Sequence, residues 1–349
     1  MQFKKWLINE ADWDGDFSDV QKTCLNPDEL VEYLNAVRAN YGKKTSEREK
    51  FPLSMPFVHS RSDLFKDGDV DIEDFAKRMN EPPKTIVNTN DKILKSGGPN
   101  EFVYKTGIPA FRGIVYDQNE GKFYVINTCP GAGQCVVICY ARHGRYIQYS
   151  EAYDSMTRRL NFLINHPEKY EEQLYKELKS KCDEHKAYQG YKPRVLLRWN
   201  DSGDFFSKKY KQIAESVMRR LKEDGHNIDS YAYTKLADVA NDASFQTTFS
   251  SGANTTQTGK VDFATNKLSI VVPKDLFRDL DLMKISDEQK LKERVAKHFV
   301  LPISQVITYG EMMSTPKGED QKWHVIITPG DGDDAAFRKD IKTILLTQH

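Results

Sequence analysis

The sequence is short of several things at once. No apolar run approaches the ~20 residues that a membrane-spanning helix needs, and no apolar leader opens the chain, so the expected compartment is the cytoplasm. It has no surplus of either charge: Lys and Arg total 51, Asp and Glu total 51, and the formal net charge is zero. Electrostatics therefore gives no case for wholesale nucleic-acid binding, and no membrane partner is expected. Cysteines number only five, an odd count, which argues against a disulfide framework. Repeats and low-complexity tracts are absent, apart from a Ser/Thr/Asn-rich stretch at 250–258 that reads as a mobile loop.

What the chain does have is concentrated. Three of its five cysteines, Cys129, Cys135 and Cys139, fall within eleven positions, in TCPGAGQCVVICYARHGRY at 128–146. Residues 122–127, KFYVIN, are β-branched and aromatic and read as a strand, so Cys129 sits at a strand's carboxyl end. Pro130, Gly131 and Gly133 make an open-backboned loop, and helical character is expected from Gln134 onward, with Cys135 and Cys139 on one face. Cys24 and Cys182 read as structural thiols.

Three readings fit this stretch. Buried cysteines can be small hydrophobes, packed here with Val136, Val137 and Ile138. His143 extends the spacing to C-x5-C-x3-C-x3-H, a Cys3His zinc set. Against zinc, a helix running from Cys135 would separate it from His143 by about 12 Å of rise. Tetrahedral ligand atoms stand only ~4 Å apart. The leading reading is a 4Fe-4S cluster held by Cys129, Cys135 and Cys139, with one iron open to a small-molecule ligand.

The first hundred residues are polar, punctuated by Pro and Gly and poor in strand signals, and read as a mainly helical extension, 1–100. Asn26 caps an expected helix through residue 41, with Pro27 at its first position, and a second helix is expected at 72–79. Acidic runs at Asp12, Asp14, Asp16 and at Asp67, Asp69, Asp71 imitate calcium loops, but Phe17 and Ile72 occupy the glycine position. Residues 95–100 read as a linker.

Beyond residue 100, strand and helix alternate. Strands are expected at 122–127, 194–199, 230–234, 267–272, 305–309 and 323–328, and helices at 150–166, 167–182, 207–223, 287–298 and 335–346, with a short helix or loop at 236–241. That pattern predicts an α/β domain, 101–349, built as a partial parallel barrel of about six strands. Ligands bind where such strands end, so the cysteine loop, the turn Ser202-Gly203-Asp204, Thr234-Lys235 and the loop 329–334 are expected on one rim.

Each candidate residue has a role and a plainer counterpart. Gly131 and Gly133 would bring backbone amides to a cluster, or are ordinary turn glycines. Arg142, Arg145, Arg158 and Arg159 would neutralise a cluster or hold an anion, or are solvated helix residues. Asp201 and Asp204 would act as general base or bind an ammonium, or cap the helix that follows. Lys235 is a candidate anion contact. Tyr231 and Tyr233 share one side of their strand and read as core or rim. Asp331 and Asp333 would bind ribose or magnesium, or favour a helix start.

NTCPGAGQCVVICYARHGRY, RWNDSGDFFSKKY and YAYTK together resemble the bacteriophage gene product eighty-eight family, over residues 105–349. A more distant likeness is to the radical S-adenosylmethionine enzymes, which carry three cysteines after strand one and a Gly-rich turn after strand two. That likeness implies S-adenosylmethionine at the open iron, with Ser202 and Gly203 near its amino group, and an oxidoreductase or transferase activity. Two departures stand out. The cysteine spacing is C-x5-C-x3-C where that superfamily has C-x3-C-x2-C, and the turn reads Ser-Gly-Asp where it has Gly-Gly-Glu.

Overall fold

The computed structural model describes residues 17–32, 72–136, 139, 141, 150–185 and 192–347. The acidic runs at 12–16 and 67–71, the helix expected at 33–41, and Arg142, His143 and Arg145 lie outside them. The chain divides into two interleaved units. One comprises 1–87, 106–180 and 200–224, the other 88–105, 181–199 and 225–349. The boundary expected near residue 100 falls inside the second unit.

The first unit holds a three-stranded antiparallel sheet, formed by β1 (Lys22–Leu25), β3 (Arg112–Asp117) and β4 (Lys122–Asn127) in the order β1-β4-β3. The Asn26 cap is as expected: its Oδ1 accepts the Glu29 amide at 2.8 Å, and Glu29 Oε2 accepts the Asn26 amide at 3.0 Å. Leu25, Leu30, Phe75, Met79, Ile114, Phe123 and Val125 bury together between this sheet and helix α1 (Ile72–Asn80). The open edge of β3 is closed by helix α2 (Ser150–Asn165). Asn161 Oδ1 accepts the Tyr116 amide at 2.8 Å, and its Nδ2 donates to Ile114 O at 2.9 Å. One turn on, Asn165 Nδ2 donates to Tyr116 O at 2.9 Å. Two side-chain amides thus satisfy an edge that would otherwise pair with another chain. Helices α3 (Pro167–Glu184) and α4 (Lys208–Glu223) follow close to their expected spans.

The second unit is an eight-stranded sheet ordered β2-β5-β6-β7-β8-β11-β10-β9, every neighbouring pair parallel. Its strands are β2 (Glu101–Lys105), β5 (Arg194–Trp199), β6 (Ile228–Thr234), β7 (Gln246–Ser250), β8 (Lys267–Val272), β9 (Val306–Thr308), β10 (Trp323–Ile327) and β11 (Ile341–Thr347). Strands β2 and β9 form its two edges, so the sheet is open and a closed barrel is not observed. Both faces are packed, as a parallel sheet requires. Val325 and Ile327 enter one apolar cluster with Ile344, while Ile326 and Leu345 enter another with Leu291 and Val295 of helix α5 (Ile285–Phe299).

Several expectations are corrected. The strand 122–127 belongs to the antiparallel sheet, not to the parallel one, and the parallel strands number eight rather than about six. The helix expected at 335–346 is a 3-10 turn, Asp334–Phe337, followed by β11. The run IKTILLT is rich in β-branched residues, and pairing on both sides with β8 and β10 decides in favour of a strand. The stretch 250–258 is tied down: Asn254 caps the short helix Thr255–Thr258, and Gln257 Oε1 accepts the Ala237 amide at 2.8 Å.

Lys267 opens β8 inside this unit. Its ammonium donates to Ala336 O and Arg338 O at 2.8 Å each and to Ala335 O at 3.3 Å, holding the carbonyl end of the 3-10 turn. Burial is the larger influence and brings its pKa down to about 7, while Asp340 acts in the opposite direction. The unfolded chain then binds the extra proton between about pH 7 and 10, so stability rises with pH through that window. We expect urea midpoints to climb between pH 7 and 9 with a slope of up to about 1.4 kcal/mol per pH unit, and Lys267→Met to lose that slope. Equal slopes in the two proteins would contradict the assignment.

Candidate functional site

In the first unit, three backbone segments that are remote in sequence meet: 106–111, the cysteine loop that begins at Thr128, and the turn 200–204. The contacts are main chain to main chain. Asp201 N donates to Thr106 O at 2.9 Å, Ile108 N to Ser202 O at 3.1 Å, and Asp204 N to Thr128 O at 2.9 Å. Of the four loops expected on one rim, the cysteine loop and the Ser202-Gly203-Asp204 turn are joined by that last bond, while Thr234-Lys235 and 329–334 belong to the second unit. Gly203 is required here, for its φ is +83° and an added Cβ would stand 2.4 Å from Ile108 Cγ1.

Beneath the turn runs a buried polar chain. Asn200 sits at φ +51°, in the left-handed region that asparagine tolerates. Its amide donates to Thr106 Oγ1 at 3.1 Å, and its Oδ1 accepts the Tyr210 hydroxyl at 2.8 Å. Burial pushes the Tyr210 pKa up to about 12, which keeps that hydroxyl protonated as donor. Among the described residues, Asn200 Nδ2 and Ser202 Oγ are buried without a hydrogen-bond partner. Asp201 and Asp204 are buried as well. Neither caps the following helix: that role falls to Ser207, whose hydroxyl accepts the Tyr210 amide. Asp204 Oδ1 accepts the Phe205 amide at 2.8 Å.

At the cysteine loop, Cys129 follows β4 directly, as the sequence suggested. Its amide donates to Asn127 Oδ1 at 3.0 Å, its carbonyl accepts the Ala132 amide at 2.9 Å, and its sulfur accepts the Phe111 amide at 3.3 Å. Phe111 has φ +68°, a left-handed conformation that is costly for an aromatic residue. It is held there at both ends, since Phe111 O accepts the Thr128 amide at 3.0 Å. Gly131 is buried and Gly133 partly so. Where a helix is expected from Gln134, the described residues Gln134–Val136 form a 3-10 turn that carries Cys135, and most of the remaining expected span lies outside the described residues. All three thiols are partly exposed.

The donor chemistry of the loop suits a soft metal or an iron-sulfur cluster, and an amide N–H aimed at sulfur stabilises a thiolate. Among the described residues, no group of three or more His, Cys, Asp or Glu is placed to hold a metal ion. Arg159, considered above as a partner for an anion, is buried against backbone instead. Its Nε donates to Thr85 O at 2.9 Å and its Nη1 to Gly107 O at 3.4 Å, while burial lowers its pKa. Arg158 pairs with Glu81 and Asp154.

The remaining candidates belong to the second unit. Lys235 follows β6 and is partly exposed. In the loop 329–334 each carboxylate has structural work. Asp331 Oδ2 accepts the Thr328 amide at 2.7 Å and its hydroxyl at 2.9 Å. Asp334 accepts the Gly97 amide at 2.6 Å and the Tyr309 hydroxyl. Asp333 forms a buried ion pair with Arg198 and accepts the Tyr231 hydroxyl at 3.2 Å, while the Arg198 guanidinium lies 5.3 Å from the Tyr233 ring. Tyr231 is therefore core, its pKa raised by burial and by Asp333. Sequence reasoning missed Phe111, Thr106, Asn200 and Tyr210, of which only Asn200, a turn-forming residue after a strand, carried a local signal.

The family model described as Gene product 88 matches residues 84–301, more than half of the chain. The match takes in the cysteine loop, the turn 200–204 and Lys235, and stops short of the loop 329–334. No curated protein and no solved structure matches the chain, and the likeness to radical S-adenosylmethionine enzymes finds no support. Among the described residues, no helix is long and apolar enough to cross a membrane.

Because Arg198 and Asp333 are both buried, removing one partner strands the other's charge. Asp333→Ala is expected to cost about 3–5 kcal/mol in chemical unfolding, and the double change Arg198→Met, Asp333→Leu to recover most of it. A stable Asp333→Ala protein would show that the carboxylate serves a ligand and not the fold.

Proposed function

The chain belongs to the gene product 88 family, and we propose that its cysteine loop is a soft-metal thiolate site, with a 4Fe-4S cluster on Cys129, Cys135 and Cys139 as the leading occupant. The observation that carries this reading is the amide of Phe111 aimed at the Cys129 sulfur from a left-handed backbone. A residue held in an unfavourable conformation by its surroundings, with its N–H directed at a thiol, is the arrangement expected where a thiolate must be stabilised. Metal uptake would then have to draw Cys135 and Cys139 towards Cys129, so binding and local ordering are coupled. A small molecule at the open iron, S-adenosylmethionine among the candidates, is the further extension. On this reading Asp201 and Asp204, in the turn bonded to Thr128, are the acid-base groups, and Lys235, in the second unit, is separately a proposed anion contact. The open parallel sheet is compatible with a partial barrel.

The second reading is zinc, for which Cys129, Cys135, Cys139 and His143 carry the donor types of a Cys3His set in the sequence.

Anaerobic purification followed by metal and sulfide analysis separates the two. The cluster reading expects brown protein with roughly four irons per chain and absorbance near 400 nm, lost in Cys135→Ala, which stays folded. Colourless protein with stoichiometric zinc would establish the second reading, and a metal-free protein would end both. If a cluster forms, a change in its electron paramagnetic resonance on adding S-adenosylmethionine tests the open iron.

A further inference from the structure

Residues 17–25 reach two elements that are remote in sequence. Phe17 is 3% exposed and stacks on Phe206, with ring centroids 6.3 Å apart and planes 15° from parallel. Asp19 Oδ2 accepts the Lys208 amide at 2.8 Å, at the first residue of α4, where a carboxylate also meets the positive end of the helix dipole. Three residues on, β1 pairs antiparallel with β4 from Lys22↔Ile126 to Leu25↔Phe123. The Lys22 ammonium lies 4.4 Å from the Tyr124 ring and 3.6 Å from Glu120. One short segment therefore braces both elements of the candidate site. Strand β4 runs into Cys129, and the Phe206–Lys208 end continues the turn whose Asp204 amide holds Thr128. The segment lies outside the family match, which begins at residue 84.

We propose that residues 17–25 are a strap that fixes the turn 200–208 against the cysteine loop and so sets how readily Cys129 can be reached, with Phe17 and Asp19 as its positioning residues. This rests on the reading of the cysteine loop as the functional site. Loss of the ring contact and of the carboxylate at Lys208 loosens the end of the 200–208 turn, the Asp204–Thr128 bond opens more often, and the Cys129 sulfur is uncovered. Phe17 and Asp19 act through the end of the turn, at Phe206 and Lys208, so the change is one of access and not of chemistry.

The test is alkylation of the full-length, chelator-treated protein, with each cysteine followed by peptide mass spectrometry in wild type and in Phe17→Ala, Asp19→Asn. Cys182, buried in the second unit with its pKa pushed up to about 12, serves as the internal reference for global opening. Cys129 alkylation is expected to rise about fivefold, as loss of a helix-end carboxylate allows, with Cys182 unchanged. An unchanged Cys129 rate overturns the strap, as does equal acceleration of Cys129 and Cys182, which would mean general destabilisation. Metal content of the wild type decides the cysteine-loop reading separately, because the alkylation is done on metal-free protein.

Discussion

The amide of Asp204 donating to the carbonyl of Thr128 is the contact on which the candidate site depends. It joins a turn at 200–204 to a loop more than seventy residues earlier, and it does so through backbone, so of the substitutions at these two positions only proline at 204 removes the donor directly. Around it, Asp201 N to Thr106 O and Ile108 N to Ser202 O repeat the same device. Main-chain bonds of this kind require close approach, and that requirement explains Gly203 and the left-handed Asn200. The candidate groups, Cys129, Asp201 and Asp204, are thereby positioned by the main chain of the scaffold.

The second unit is stabilised differently. Its sheet is parallel throughout, so its apolar faces are both buried and its polar anchors lie inside: Arg198 with Asp333, Lys267 among three carbonyls, and Arg338 with Asp340. Arg338 also donates to Thr315 O at 2.9 Å and Pro316 O at 3.1 Å, fixing the segment after β9. Buried charges contribute little net stability when paired and cost heavily when not. Their pairing gives the polar residues Asp333, Arg338 and Asp340 of this region a structural role.

Much of this was readable from local pattern. Strands β5, β6, β8 and β10 and helices α1 to α5 lie near where periodicity and caps place them, because Ser207, Asn26 and the β-branched runs act on their immediate neighbours. Strand β11 was not readable: Phe337, Ile341 and Leu345 recur at a helical interval of four, and an inner parallel strand is as continuously apolar as a buried helix. The cysteines and the Ser-Gly-Asp turn announced themselves by composition. Phe111 did not, since nothing in PAFRG marks a left-handed residue, and the Asp19 to Lys208 contact spans 189 positions that no window covers. Local signals locate the reactive groups, and long-range backbone contacts decide how they are held.

The interleaving of the two units has a consequence for how the protein is made. The first unit draws on residues up to 224 and the second on 88–105, so neither corresponds to a continuous stretch of polypeptide. A nascent chain leaving the ribosome must therefore carry its cysteine loop without the 200–204 turn until some seventy further residues have emerged. During that interval the thiols are uncovered, and any chaperone or metal donor that serves this loop has its opportunity then.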